Sequence, residues 1–417
     1  MPEPSRCLTD MIAELWSRAI LKRIRARNEA SSRLATEVPD QEGRNINRVL
    51  LREARFEDFP EISAMNSRLG QGPDSLENWH RLWRDNPAIR SFNAPSRIGW
   101  LLEDSGRIVG FLGSIPLQYE FRGAPLVAAA TCRFAVEPQY RAFSHLLVMA
   151  FFRQKEIQLF IDSSATPAAG KIMAAAKAQV LPQKTYESIL FWVLNPRRYS
   201  AYALRKMGLT GTAVWLGRVL GQLVLQAASL FWNRRPPAST ASLEVRNEPL
   251  SSLGDRFEQF VDTISHRQTQ LLARRSSEIL LWHFEAPQNR RPVSLFTCYR
   301  NGQMSGYLVL RFYEESQEGL KRSVVADLLV QDDDSTIVAA LLRAALDQAQ
   351  KAGADILEVV GFPMKIRECL FRWRPFSRSL PANPFYFKAR EKKLHEALQQ
   401  EVAWYACPYD GDSTLWP

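Results

Sequence analysis

The chain has 417 residues and a net charge of +10 at pH 7, enough for two ordinary domains with separate cores. Five scattered cysteines (7, 132, 298, 369, 407), with no Cys-x-x-Cys pair, exclude a disulfide framework and a zinc ribbon and point to a reducing compartment. Net basic charge suits acidic partners such as phosphates, carrier proteins or anionic lipid, but no basic run interleaved with aromatics makes nucleic acid an expected ligand.

The N-terminus, Met1-Pro-Glu-Pro-Ser-Arg, has no apolar signal-peptide core. Residues 8 to 27 pattern as an amphipathic helix, with Leu8, Ile12, Leu15, Trp16, Ala19, Ile20 and Ile24 on one face; it is either a membrane-surface helix or one docked on its own domain. A polar linker runs to residue 48. The first domain is expected over 49–207. Val49-Leu-Leu-Arg is a strand, a helix opens at Phe56, and a second helix runs from Ser75 to Pro87, which should stop it. A hairpin follows, Gly99-Trp-Leu-Leu-Glu and Arg107-Ile-Val-Gly110 about the turn Asp104-Ser105-Gly106. Ala128 to Val136 is an apolar strand containing Cys132, broken by Glu137-Pro138-Gln139-Tyr140-Arg141. Ala142 to Gln154 reads as a helix and Ile157 to Ile161 as the next strand. Tyr186 to Leu194 supplies a late strand.

Residues 208–242 hold the longest apolar run, Gly208 to Trp232, and a Pro/Ser linker. Arg218 is costly at a bilayer centre, so the run is expected to be a helix that lies in a membrane interface or is buried between domains. The second domain, 243–392, repeats the first. The hairpin Phe296 to Leu310 echoes the earlier one: Gly106 to Gly302 and Gly110 to Gly306 are both separations of 196. Ser276 to Pro287 echoes the Trp83 helix. A long period of this kind means duplication, not a solenoid. After the strand ending at Val330 come Gln331-Asp332-Asp333-Asp334, which repel an anion and suit a helix cap. Lys365, Arg367, Arg372, Arg374 and Arg378 are a candidate basic face. The tail, 393–417, places Asp410 and Asp412 in a turn too short for a calcium loop.

The order strand, Val136-Glu-Pro138-Gln-Tyr140-Arg141, helix, strand resembles the donor-binding core of the GNAT acyltransferase superfamily. The resemblance implies an α/β (α+β) fold of two tandem GNAT-like mixed sheets, the first binding the donor. It also implies transfer of an acyl group from a thioester, acetyl-CoA or another acyl-CoA or an acyl-carrier protein, to the amine of an amino sugar, amino acid or peptide, without a metal. By position, Val136, Arg141, Ala142, Phe143, Ser144, His145 and Thr166 would bind the donor, and Glu137, Tyr140 and Ser164 would carry proton transfer. The family's glycines in the phosphate turn are replaced by Ser144 and Leu146, and its usual tyrosine by Met173. Glycines let amides approach a pyrophosphate, so a carrier-linked thioester is the expected donor. A similar two-domain build is that of the FemABX-type aminoacyl transferases; a catalytically silent pair serving as a scaffold is the remaining reading. The expected location is the cytoplasm, with peripheral contact to the inner membrane through 208–232.

Overall fold

The computed structural model describes residues 49–416 apart from 73, 93, 207–210, 229–230, 238–241, 285–291, 314–318 and 381–383. The amphipathic pattern at 8–27 and the linker after it lie outside the described residues.

Strand β1 (Leu50–Glu53) leads into helices α1 (Phe59–Arg68), α2 (Leu76–Trp79) and α3 (Pro87–Phe92). Helix α2 runs on as a single π-helical stretch to Arg84, and Pro87, expected to end a helix, instead opens the next one. A proline's missing N–H costs nothing in a first turn, and Asn86 Oδ1 accepts the Ala88 N–H at 2.8 Å. Strands β2 (Gly99–Asp104), β3 (Arg107–Phe121) and β4 (Ala124–Val136) form a meander, followed by α4 (Ser144–Phe152), β5 (Leu159–Asp162), α5 (Pro167–Ala175), β6 (Gln179–Val180) and β7 (Ser188–Val193). Two helices, α6 (Pro196–Lys206) and α7 (Gly211–Ala228), lead to the second half. There β8 (Leu243–Glu248), α8 (Asp255–Arg267), β9 (Leu272–Ala273), α9 (Ser277–Phe284), β10 (Val293–Arg300), β11 (Gln303–Tyr313) and β12 (Arg322–Val330) come first. They are followed by α10 (Ser335–Lys351), β13 (Ile356–Val360), α11 (Met364–Phe371), β14 (Phe376–Ser379) and β15 (Tyr386–Ala389).

The strands make two mixed sheets. One runs β1-β2-β3-β4-β5-β15-β6, with β9 added to β3; the other runs β8-β10-β11-β12-β13-β7-β14. Each has one parallel pair, β4 with β5 and β12 with β13. The duplication read from the glycine hairpins appears in the registers. Leu102 faces Gly110 in one sheet and Cys298 faces Gly306 in the other, and each ladder shifts register just after that pair. Gly110 and Gly306 also face Val136 and Val330 on the next strand.

One feature departs from the expected arrangement. The late strand β7 does not finish the sheet of its own half. It lies between β13 and β14 of the other sheet, while β15 crosses back to lie between β5 and β6. Hydrophobic alternation cannot distinguish these destinations, since either neighbour buries the same faces. Phe191, Trp192 and Val193 are buried in the exchange, as is Phe387. The largest core cluster accordingly spans both halves, from Leu159 and Trp192 to Leu341 and Trp404. The halves also grip each other through a reciprocal pair: Arg81 Nη1 donates to the Trp282 carbonyl at 3.0 Å, and Trp282 Nε1 to the Arg81 carbonyl at 2.8 Å.

Candidate active site

Strands β4 and β5 pair only from Ala128 to Ala130, against Leu159 to Ile161. Beyond that point β4 continues to Val136 while β5 ends at Asp162, so the sheet forks. Three small alanines begin the fork, and β4 then bends. Arg133 takes a left-handed φ of 51°, and the ladder to β3 shifts between Phe111 and Gly113. Such a bulge bends a strand and interrupts its ladder locally. Gly113 is required there, because a Cβ on it would sit 2.4 Å from Cys132 Sγ. The Arg133 guanidinium donates to the Gln71 carbonyl at 2.5 Å, pairs with Asp74, and stacks 4.1 Å from the Trp416 ring.

The C-terminal segment closes the fork from the side. Asp412 Oδ1 accepts the Ser163 hydroxyl at 2.9 Å and its Oδ2 the Ser164 hydroxyl at 3.1 Å. Ser164 N–H donates in turn to Asp162 Oδ1 at 3.2 Å, so this one exposed serine touches both buried carboxylates. The approach depends on Gly411, whose φ is 79° and whose added Cβ would lie 2.2 Å from Ser163 Oγ. Burial, and then the charge of Asp412, push the Asp162 carboxyl up to about 7, against the Ser164 amide and the Thr131 hydroxyl. Burial likewise raises Asp412 and the Cys132 thiol. The exposed Ser164 hydroxyl thus rests on Asp412, a carboxyl raised by burial, and a raised carboxyl reached through a hydroxyl is equipped to take a proton from an incoming group.

The residues singled out from sequence are distributed differently. Pro138–Phe143 is a 3₁₀ turn, in which amides bond three residues back. The Tyr140 N–H goes to the Glu137 carbonyl at 2.9 Å and the Ser144 N–H to that of Arg141. Ser144 Oγ also donates to the Arg141 carbonyl at 2.6 Å, and His145 Nδ1 lies 2.9 Å from that of Ala142. Arg141 and Ala142 are exposed; Val136 and Phe143 pack partly buried against the core behind β4. Thr166 caps α5 by accepting the Ala169 N–H at 3.2 Å. Both Glu137 oxygens are engaged, by Arg107 at 2.8 Å and Arg68 at 3.2 Å, with Gln139 at 3.1 Å. Tyr140 Oη donates to Asp104 at 2.5 Å, at the β2–β3 turn, and that bond raises its pKa. Of the expected catalytic residues, Ser164 stands in the fork; Glu137 and Tyr140 are tied to the outer turn.

Sequence reading passed over Asp162 and Asp412 as partners. The available signal was Leu159-Phe-Ile-Asp162, a carboxylate ending a wholly buried strand; its link to Asp412 spans too much sequence for spacing to reveal. The wall beside the fork, from Thr131, Phe151 and Phe160 to Asp162 and Tyr386, encloses no water-sized space. Among the described residues no group of three or more His, Cys, Asp or Glu is arranged to hold a metal.

The second fork, between β12 and β13, carries a different cluster. Arg275 and Asp327, both inaccessible, pair at 2.9 and 3.0 Å, and Tyr307 Oη donates to the same carboxylate at 2.5 Å. Tyr405 and Cys407 of the C-terminal segment fill this gap, bonding the Leu328 and Ala326 carbonyls. Asp334 caps α10, accepting the Thr336 N–H at 2.7 Å. The candidate basic face does not form as a unit. Arg367 is buried, donating to the Val359 carbonyl at 3.3 Å, and Arg378 pairs with Glu358 at 2.5 Å.

No family model and no curated protein matches the chain in sequence. Solved structures do match in fold. A GCN5-related N-acetyltransferase from Anabaena variabilis aligns over 82% of this chain and 73% of its own, at 11% identity and a TM-score of 0.51. A probable N-acyltransferase from Enterococcus faecalis gives 82% and 73%, 10% identity and 0.52. The N-myristoyltransferase of Saccharomyces cerevisiae, solved with myristoyl-CoA, gives 84% and 81%, 12% identity and 0.51. With two mixed sheets, each forked at a parallel pair among the described residues, the chain has a GNAT-like fold similar to that of these acyltransferases.

Proposed function

We propose that the protein is an N-acyltransferase whose donor half, 49–207, holds an acyl thioester in the β4–β5 fork and whose second half, 243–392, supports that fork and contributes to acceptor binding. The observation carrying this reading is the pair Asp162 and Asp412 at the fork, joined through the exposed Ser164. An amine nitrogen would attack the thioester carbonyl carbon directly. The ammonium proton of the tetrahedral species would pass by way of the Ser164 hydroxyl to Asp412, beside Asp162, and collapse would break the C–S bond and release the thiolate. No acyl-enzyme is required, and the raised thiol of buried Cys132 is unsuited to forming one.

The donor is best read as a carrier-linked thioester. The turn that would cradle a pyrophosphate uses amides of Tyr140 and Ser144 for its own 3₁₀ bonds. Losing two charge-assisted bonds, at about 1.5–3 kcal/mol each, weakens coenzyme A binding by orders of magnitude. A pantetheine arm with a single phosphate avoids most of that loss, and exposed Arg141 and Lys171 suit an acidic carrier surface. Calorimetry and transfer assays with acetyl-CoA and with an acyl-carrier protein, using a panel of amino sugars and amino acids as acceptors, test this. Transfer from the carrier donor, lost in Asp162→Asn, is the expected result. Low-micromolar coenzyme A binding abolished in Arg141→Ala would restore the ordinary donor. The closed wall beside the fork favours a second reading, a silent scaffold subunit, which absence of binding to either donor would select.

A further inference from the structure

From Ser188 to Leu243 the chain contains no Asp or Glu, against seven Lys and Arg. This acid-free stretch folds as β7 followed by the antiparallel-packed pair α6 and α7. Gly221 of α7 lies so close to α6 that an added Cβ would be 2.7 Å from Ser200 Oγ, and Leu225 packs with Tyr199 and Tyr202 on the inner side. That contact fixes which side of α7 faces outward. Among the described side chains of α7, Val219, Leu223 and Val224 are large, apolar and exposed, the last two 58% and 62%.

Phe231, just after α7, is also exposed, as is Phe371 at the end of α11. The two belong to one surface: Arg374 Nη1 lies 3.5 Å from the Phe231 carbonyl, and Trp232 with Phe371 and Arg374 lines an open hollow of about 360 Å³. Arg374 lines that hollow, and the neighbouring elements carry further exposed cations, Arg197, Arg205 and Lys206 on α6 and Arg234 after α7. Contiguous exposed apolar side chains with a polar rim mark an interaction site. Exposed apolar side chains and cations on a stretch that carries no carboxylate match one kind of partner, a surface dense in anions with an apolar layer beneath. Among the described residues no helix is long and apolar enough to cross a membrane.

We propose that the outward face of α7, with Phe231, Phe371 and the flanking cations, docks the protein on an anionic lipid surface. The aliphatic row enters the headgroup–acyl boundary while the arginines and lysine meet lipid phosphates, as interfacial helices do. The docking face is independent of the fork, and vesicle binding reads it without any transfer assay.

Full-length protein is to be sedimented with vesicles of phosphatidylcholine alone and of phosphatidylcholine with phosphatidylglycerol. Binding to the anionic vesicles, weakened at high salt and lowered more than about tenfold in Leu223→Asp/Val224→Asp, is the expected result. Because both side chains are exposed, the double variant is expected to keep the parent's circular dichroism and melting point. A second variant, Arg234→Gln/Arg374→Gln, should lower binding to the anionic vesicles only. Equal binding to both vesicle types, no binding to either, or unchanged binding in both variants overturns the proposal. Light scattering that shows a dimer, dissociated by the double aspartate variant, would overturn it in favour of self-association.

Discussion

Replacing Asp162 by Asn removes a charge from the fork while keeping its shape. At pH 8 the wild-type carboxylate is ionised although it is only 5% exposed and faces Asp412. A rise from 3.8 to about 7 corresponds to an upper limit of about 4 kcal/mol of destabilisation at pH 8, at 1.36 kcal/mol per unit. The sign follows from proton binding. Between the unfolded and folded values the native state holds the proton and the unfolded chain does not, so stability is full below about 4 and falls as pH rises through 7. Asp410, pushed up to about 6 mainly by burial, acts in the same direction at lower pH. Asn retains the acceptor for the Ser164 N–H, and its amide can donate to the Thr131 hydroxyl oxygen. Urea unfolding at pH 5 and pH 8 should therefore show Asp162→Asn more stable than wild type at pH 8, by roughly 2–4 kcal/mol, with much of that gain gone at pH 5. Transfer activity should be lost at both. A variant equally destabilised at both pH values, or a wild type whose stability does not change between them, would refute the buried-charge account.

Other substitutions probe the frame around the fork. Gly113→Ala sets a methyl against Cys132 and should cost about 1–3 kcal/mol in denaturant melts, partly recovered when Cys132→Ala is added. Arg275→Met leaves buried Asp327 beside Tyr307 without its cationic partner and should destabilise by about 3–5 kcal/mol; Arg275→Met with Asp327→Leu should recover much of that loss. Residues 49–207 and 243–392 expressed separately should each fail to give a cooperative melt, because each lacks an interior strand of its sheet. A sharp transition from either fragment alone would contradict the exchange.

Much of the fold was legible because it rests on local periodicity. The hairpin glycines at a separation of 196 reappear as identical registers, and the strand–turn–helix–strand order from Ala128 is the β4–α4–β5 fork. The Asp334 cap followed from its chemistry alone. What was not legible depends on contacts between distant residues. An apolar strand such as Ile189 to Val193 carries no mark of which sheet will take it. Arg367 reads as a surface cation until its position against Val359 and Ser188 is known. The position match placed Glu137 and Tyr140 in a site, but local pairing with Arg107 and Asp104 holds them at the turn. Ser164 was legible as a residue after a strand; its bond to a carboxylate 248 positions away was not.

The strand exchange gives the second half a part in shaping the β4–β5 fork of the first. Asp162 ends β5, and β5 is paired on its outer side by β15, with Tyr386 opposite Asp162 itself. The Tyr386 ring then lies over α5, where a Cβ on Gly170 would be 2.7 Å from its hydroxyl. Asp412 arrives on the segment that has first filled the β12–β13 gap with Tyr405 and Cys407. The position and the charge environment of the fork carboxylate are thus set by β15, at the end of the second half, and by Asp412, which follows it. A fork in one sheet that takes its carboxylate partner and its flanking strand from the other end of the chain cannot be assembled by a single half. That dependence is a physical reason for the two halves to be kept in one chain: β5 is held in place by a strand from the second.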